Sequence, residues 1–114
     1  MTARRAEVWL ARFPFTDLST TKLRPVVVWA VFWEDAVVIG VFSRVPTRPL
    51  RETWVLIEEE NKDFAQTGLI KTPVVKTEKL AIVHHSVLER KLGDVPAPFK
   101  SSIETGLQRA LHLD

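Results

Sequence analysis

Short runs of β-branched and aromatic residues, bounded by polar or proline-containing segments, fill most of the chain. Residues 8–13 form the first run, and Pro14 ends it because proline has no N–H to donate to a strand ladder. The second run, residues 24–32, is almost continuously apolar, which is typical of a strand covered on both faces. We therefore predict that this second run is a central strand of the sheet.

Later runs repeat the pattern at short intervals and predict further strands at residues 36–42, 52–58, 72–78, 79–84 and 87–95. Trp33, Glu34 and Asp35 supply the polar break between the second strand and its hairpin partner. In the turn Gln66-Thr67-Gly68-Leu69, the glycine stands where a positive φ is favoured.

The C-terminal segment has a helical period instead. Phe99, Ile103 and Leu107 recur every fourth residue, so residues from about 97 to 111 are predicted to form an amphipathic helix. Several short strands and one closing helix predict a single domain over residues 1–114. Its expected class is mainly β, a small curved sheet or barrel with a C-terminal α-helix.

Composition narrows the function only slightly. The 16 Lys and Arg residues against 14 acids give a formal charge of +2, which would favour an anionic partner if the cations cluster. With no cysteine, disulfides and thiolate metal sites are excluded. No signal-peptide pattern follows Arg4 and Arg5, and no run approaches the roughly 18 apolar residues of a membrane span, so we expect a cytoplasmic protein.

The connector between the first two strands is the segment most suggestive of function. It is polar, rich in hydroxyl groups and about ten residues long, which is longer than a usual hairpin loop, so we expect it to bind a ligand. Arg24 stands where this connector enters the second strand. Pro25 biases Arg24 towards an extended backbone that presents its side chain, and a guanidinium held in this way suits phosphate.

An ordered set of motifs resembles the MazF/PemK family of toxins over residues from about 5 to 112. The motifs are Glu7-Val8-Trp9-Leu10, Phe13-Pro14-Phe15-Thr16-Asp17, Lys22-Leu23-Arg24-Pro25-Val26-Val27-Val28, Ser43, Thr67-Gly68-Leu69 and Val74-Val75-Lys76-Thr77-Glu78-Lys79-Leu80. The resemblance implies an SH3-like barrel with a terminal helix, a homodimer and an antitoxin that inserts a segment into the toxin's groove. It also implies sequence-selective cleavage of single-stranded RNA with neither metal nor cofactor.

Such cleavage requires deprotonation of the 2′-hydroxyl, stabilisation of the phosphorane and protonation of the leaving 5′-oxygen. With the resemblance, we assign Arg24 to the phosphoryl oxygens, Ser43 to a hydrogen bond with the phosphate and Glu78 to the general base. Lys76 would add positive charge or donate the proton to the leaving oxygen. The residues assigned to RNA binding are Thr16, Ser19, Thr20, Lys22 and Arg44.

Alternatives remain open at these positions. Several family members carry Arg-x-Asp where this chain has Lys76-Thr77-Glu78, which keeps both charges but loses the fork of the arginine. Lys76 and Glu78 lie two residues apart on one face of a strand, as a plain surface ion pair also would. Ser43 could equally be an ordinary strand end. The whole domain could instead be a non-catalytic module that poisons a topoisomerase or binds operator DNA with its antitoxin.

The histidine and tryptophan residues are predicted to have no role in acid–base or metal chemistry. His84 and His85 offer acid–base or zinc chemistry, but adjacent strand residues face opposite sides and no third ligand has metal spacing, so we predict neither. We expect Trp9, Trp29 and Trp33 in the core or a dimer interface. Trp54 and Phe15 are the candidates for stacking a nucleobase.

Overall fold

Six strands and one α-helix make up the fold in a computed structural model that describes residues 3–13, 22–43 and 50–114. The strands are β1 (Glu7–Arg12), β2 (Leu23–Phe32), β3 (Asp35–Phe42), β4 (Trp54–Leu56), β5 (Val74–His84) and β6 (Leu88–Asp94), followed by α1 (Ala97–Ala110). Two short 3-10 turns cover Phe64–Thr67 and His85–Val87. No helix in the described ranges is both long and apolar enough to cross a bilayer.

The strands form one antiparallel sheet in the order β4-β5-β3-β2-β1-β6. The prediction that β2 is central is confirmed, because β2 pairs with both β1 and β3 and its Val26, Val27 and Val28 are fully buried. Among the described strands, β4 and β6 do not pair with each other, so the curved sheet stays open at these two edges. The predicted mainly β fold with a C-terminal helix is confirmed.

Alternation along the strands fills two hydrophobic clusters. Val27 of β2 packs in the cluster beneath α1, together with Ile103 and Leu107 of the helix, whereas Val26 and Val28 belong to the other cluster. This follows from the period of two that sends successive strand residues to opposite faces. The helical period predicted at the C-terminus is likewise confirmed, with Ile103 fully buried.

Strand β5 departs from the prediction, because the two expected pieces form one strand of 11 residues. Its register with β3 jumps from Ile39 opposite Leu80 to Gly40 opposite Lys76, so the residues between Lys76 and Leu80 bulge out of this pairing. Within that bulge, the backbone N–H and hydroxyl of Thr77 both donate to the carbonyl oxygen of Thr53, at 3.2 and 2.6 Å. A bulge re-aims the side chains near it.

Strand β4 is shorter than predicted. Only Trp54–Leu56 are in strand conformation, whereas the apolar alternation suggested residues 52–58. The strand lies at the edge of the sheet, where β5 is its one partner in the described chain, and its pairing covers Val74 to Lys76 alone. The bulge of β5 begins directly after Lys76, which limits the regular ladder.

Two glycines allow the first 3-10 turn to rest directly on β6. Gly68 has a φ of 70°, which confirms the expected positive value, and a Cβ atom there would lie 2.1 Å from the carbonyl oxygen of Leu92. At Gly93, a Cβ atom would lie 2.1 Å from the carbonyl oxygen of Gln66. Neither contact leaves room for a side chain, because the opposing atoms are backbone.

We expect Gly93→Ala to lower the free energy of unfolding by roughly 2 kcal/mol or more, because the added methyl group must push the two backbones apart. Urea denaturation would measure this. Arg90→Ala, at an exposed position of the same strand, is the control and should stay within about 0.5 kcal/mol. Equal stability of both variants would show that the turn does not pack on β6 this closely.

Candidate functional site

Four neighbouring strands bring cations and aromatic rings into one row. The Arg24 guanidinium carbon lies 5.6 Å from the centre of the Phe42 ring, and Lys76 Nζ lies 4.6 Å from the same centre. Lys76 Nζ is also 4.6 Å from the Trp54 ring, and the Arg51 guanidinium carbon is 5.1 Å from that ring. We call Arg24, Phe42, Lys76, Trp54 and Arg51 the cation–aromatic row.

Strand register explains how the row forms. Lys76 pairs with Trp54 of β4 on one side and with Gly40 of β3 on the other. Because Gly40 carries no side chain, the Lys76 stem has space to extend towards the ring of Phe42, two residues along β3. The neighbouring Val75 points the other way into the cluster beneath α1, so the row occupies the sheet face opposite the helix.

Two cations of this row, Arg24 and Lys76, have no carboxylate partner in the part of the chain that the structure describes. No Asp or Glu oxygen there lies within 4.0 Å of the Arg24 or Lys76 nitrogens. Their recorded contacts are with ring faces, each worth about 0.5–1 kcal/mol at an exposed site. The N–H donors of both side chains can therefore bind an anion.

Glu78 is held firmly beside the row. Its Oε1 accepts a hydrogen bond from the Thr53 hydroxyl at 2.8 Å, and its Oε2 accepts from Trp54 Nε1 at 2.7 Å and from Arg51 at 3.2 Å. Burial alone would raise the pKa of Glu78, but these hydrogen bonds and the Arg51 charge outweigh burial and hold the pKa below its usual value. The carboxylate is thus ionised at neutral pH and is a weak base.

The pKa of Lys76 is lowered, which favours release of its proton. Burial between the two rings lowers the pKa of Lys76, the charges of Lys79 and Arg51 lower it further, and Glu78 opposes them only in part. The ammonium group therefore loses its proton more readily than an ordinary lysine does, which suits a general acid.

A pocket of about 290 Å³ adjoins the Arg24 end of the row. Arg24, Phe42 and the exposed hydroxyl of Ser43 line it, and Ile70 borders it with 79% of its surface exposed. Ser43 and Arg24 therefore share one pocket, as their assignment to a common phosphate requires. The pocket is partly apolar, so it can also accommodate a nucleobase beside that phosphate.

Several predicted site residues cannot be placed. Thr16, Ser19, Thr20 and Arg44, together with the stacking candidate Phe15, lie outside the described residues. Lys22 is described, and it is exposed immediately before β2. The assignment of these residues to RNA binding stays a prediction.

Sequence reasoning missed three residues of the site. Phe42 separates the two unpaired cations, Arg51 caps the Trp54 ring, and Thr53 binds Glu78. Arg51 and Thr53 are close to Trp54 in sequence, but strand alternation would have placed both on the face opposite to Trp54, and in the structure both precede β4. Their contact with Lys76 and Glu78 depends on the pairing of β4 with β5.

The expectation that His84 and His85 face opposite sides was wrong. Their rings stack with centroids 4.4 Å apart, because β5 ends at His84 and the 3-10 turn begins at His85. His84 Nδ1 lies 2.9 Å from the Ser86 hydroxyl. No group of three or more metal-binding side chains occurs among the described residues, here or elsewhere.

The tryptophans differ in burial. Trp9 and Trp29 pack against the two hydrophobic clusters, as expected for core residues. Trp33 is 97% exposed at the turn between β2 and β3, so its placement in the core was wrong, whereas its alternative placement in a dimer interface stays a prediction.

Comparison with known proteins agrees with this architecture. The family model of PemK-like, MazF-like toxins of type II toxin–antitoxin systems matches residues 4–111, so the chain belongs to this family. No curated protein sequence matches the chain.

Solved structures share the fold at low identity. An endoribonuclease from a mycobacterial species, bound to its cognate antitoxin, has a TM-score of 0.73 at 21% identity, over 99% of this chain and 98% of its own. The Mycobacterium tuberculosis toxin MazF-mt6 has a TM-score of 0.72 at 18% identity, over 95% of this chain and 98% of its own. A MazE–MazF complex from Deinococcus radiodurans has a TM-score of 0.69 at 18% identity, over 98% of this chain and 98% of the matched chain.

The hydrogen bonds that Glu78 accepts from Thr53, Trp54 and Arg51 form a network around this carboxylate, and they predict that the protein loses stability in acid. Because the folded-state pKa of Glu78 lies below its ordinary value of 4.5, its stabilising contribution is present above that value and is lost as pH falls through the folded pKa. We expect Glu78→Gln to flatten the fall in the free energy of unfolding below about pH 4.5. Thr53→Val should make that fall smaller, because loss of the hydrogen bond brings the folded-state pKa of Glu78 closer to its ordinary value. Urea denaturation across pH would show both, and an unchanged profile in both variants would contradict the network.

Proposed function

We propose that this toxin cleaves single-stranded RNA without a metal ion and that the cation–aromatic row binds the scissile phosphate. The observation that carries the proposal is the placement of two cations, Arg24 and Lys76, against the same Phe42 ring with no carboxylate partner in the described chain. Cations recognise the phosphate backbone, and aromatic faces such as Trp54 stack bases. The endoribonuclease activity named for two of the mycobacterial neighbours supports the same function.

In the proposed reaction, the 2′-oxygen attacks the adjacent phosphorus and the bond from phosphorus to the 5′-oxygen breaks. The products are a cyclic phosphate and a free 5′-hydroxyl. Arg24 stabilises the negative charge on the phosphorane oxygens, and Ser43 donates a hydrogen bond to one of them. Lys76, with its lowered pKa, donates the proton to the departing 5′-oxygen.

Glu78 accepts the proton of the 2′-hydroxyl in this scheme. An ionised carboxylate offers about four lone-pair positions, and three side-chain donors and its own backbone N–H already stabilise that of Glu78, so one of these contacts must give way when it accepts the proton. Its lowered pKa makes it a weak base, so its contribution to the rate should lie near the low end of the 10²–10⁴-fold typical of general bases.

The proposed partners follow from the family and its solved complexes. Antitoxin is bound in both the mycobacterial complex and the Deinococcus radiodurans complexes, and an antitoxin segment lying over the cation–aromatic row would block RNA. We also propose a homodimer, for which exposed apolar side chains such as Trp33 and Ile82 offer unburied surface. Operator DNA, bound together with the antitoxin, is a further proposed partner.

The first test is cleavage of a long, poorly structured RNA in excess EDTA, with cut positions read by primer extension. Wild-type protein should cut at discrete sites, and Arg24→Ala should reduce the rate by about 10²-fold or more, because a fixed charge on the transition state is lost. The matched control is Arg90→Ala, which removes an exposed cation on the far edge strand and should cut at the wild-type rate.

If folded Arg24→Ala cuts as fast as wild type, the site assignment is wrong. If wild-type protein leaves RNA intact but inhibits a topoisomerase at stoichiometric concentration, the domain is a binding module and the nuclease proposal fails.

The role of Lys76 predicts a pH dependence. A general acid works while protonated, so cleavage should decline as pH rises through the lowered pKa of Lys76, below the ordinary value of 10.5. Lys76→Arg keeps the charge but does not release its proton in this range, so the alkaline decline should vanish and the maximal rate should fall. Single-turnover rates across pH would measure this; the same alkaline decline in the variant would exclude Lys76 as the acid.

A further inference from the structure

A second groove of about 490 Å³ lies where the edge of the sheet meets the end of α1. Arg51 and Glu78 form one wall, and Arg109 and His112, at and just beyond the last turn of α1, form another. Arg51 also contacts the Trp54 ring, so the groove begins where the cation–aromatic row ends. The two features are therefore continuous around β4.

Arg109 is a cation of this groove, in the last turn of α1, that has no carboxylate partner among the described residues. Its Nη1 donates to the backbone carbonyl oxygen of Glu52 at 3.3 Å, which fixes the guanidinium without neutralising it. Within the described residues, no carboxylate oxygen lies within 4.0 Å of its side chain. A guanidinium held by one neutral acceptor keeps other N–H donors for a second, charged one.

The acidic groups of the groove do not cancel this charge equally. Glu78 already accepts three side-chain hydrogen bonds, one of them from Arg51, so its charge is largely compensated. Glu52 also lines the groove and is exposed, and it is the carboxylate that would oppose an incoming anion. With Arg51 and Glu78 paired, the charges of the groove that no ion pair compensates among the described residues are those of Arg109 and Glu52, while Arg51 keeps N–H donors that can still bind a phosphate.

We propose that bound RNA continues from the cation–aromatic row over β4 into this groove, where Arg109 and Arg51 bind a phosphate that flanks the scissile one. This inference rests on the proposed function. It extends the RNA-binding surface to α1. Binding in the groove should then depend on the length of the RNA and not on its sequence at the cut.

The test compares two fluorescein-labelled oligoribonucleotides centred on the cut sequence, of about four and about twelve nucleotides, within the range of single-strand site sizes. A 2′-deoxy sugar at the cut position prevents cleavage, so that anisotropy reports binding alone. We expect Arg109→Gln to weaken binding of the long RNA by about five- to tenfold and to reduce its salt slope by about 0.7, the value of one phosphate contact. The short RNA, which does not reach the groove, should bind as it does to wild type.

Three further variants make the result specific. Arg109→Lys keeps a point charge and should recover part of the lost affinity, which loss of local packing alone would not predict. Glu52→Gln removes the opposing acid and should tighten binding of the long RNA only. Arg90→Gln removes another exposed cation, on the far edge of the sheet, and should change the binding of neither RNA. Thermal unfolding of each variant checks that the fold is intact.

The possible failures can be told apart. If Arg109→Gln leaves the long RNA unaffected, or weakens both lengths equally, the groove does not bind a flanking phosphate, and the proposed nuclease site still stands. If Arg24→Ala and Lys76→Met both bind the short RNA as tightly as wild type does, the cation–aromatic row is not the RNA site, and both proposals fall.

Discussion

The pairing of the short edge strand β4 with the bulge of β5 is the constraint on which the site depends. The carbonyl oxygen of Thr53 accepts hydrogen bonds from both the N–H and the hydroxyl of Thr77, at the point where β5 leaves its register with β3. This contact places Glu78 against Thr53 and Trp54, and it keeps Lys76 opposite Trp54. A regular ladder would have continued the pairing with β3, and Glu78 would then lack these donors.

Two lysines of the same chain show how a structural cation differs from a candidate site cation. Lys91 lies 3.0 Å from a Glu7 oxygen and 3.3 Å from an Asp94 oxygen, and its hydrogen bonds to Glu7 and Asp94 raise its pKa. Lys76 meets ring faces instead, and burial lowers its pKa. The fold thus stabilises the charge of Lys91 with carboxylates but leaves that of Lys76 available for an external anion.

Local sequence pattern was sufficient for features that depend on near neighbours. The valine run of β2 indicated its central position, and the four-residue spacing of Ile103 and Leu107 indicated α1. The two-residue spacing of Lys76 and Glu78 indicated that they share a face of the strand. Phe42 and Arg51 could not be found in this way, because they reach Lys76 and Trp54 only through strand pairing across the sheet. Long-range register and a bulge have no signature in a single stretch of chain.

The exchange of Arg-x-Asp for Lys76-Thr77-Glu78 has a physical meaning in this setting. An arginine at position 76 would stay charged at any working pH, whereas a lysine ammonium between the Phe42 and Trp54 rings can release its proton. In the proposed site, Arg24 makes the bidentate contact with phosphate, and Pro25 favours an extended backbone for Arg24 at the start of β2. In the proposed reaction, charge stabilisation and proton donation are therefore divided between two cations on the same Phe42 ring, and neither has to do both.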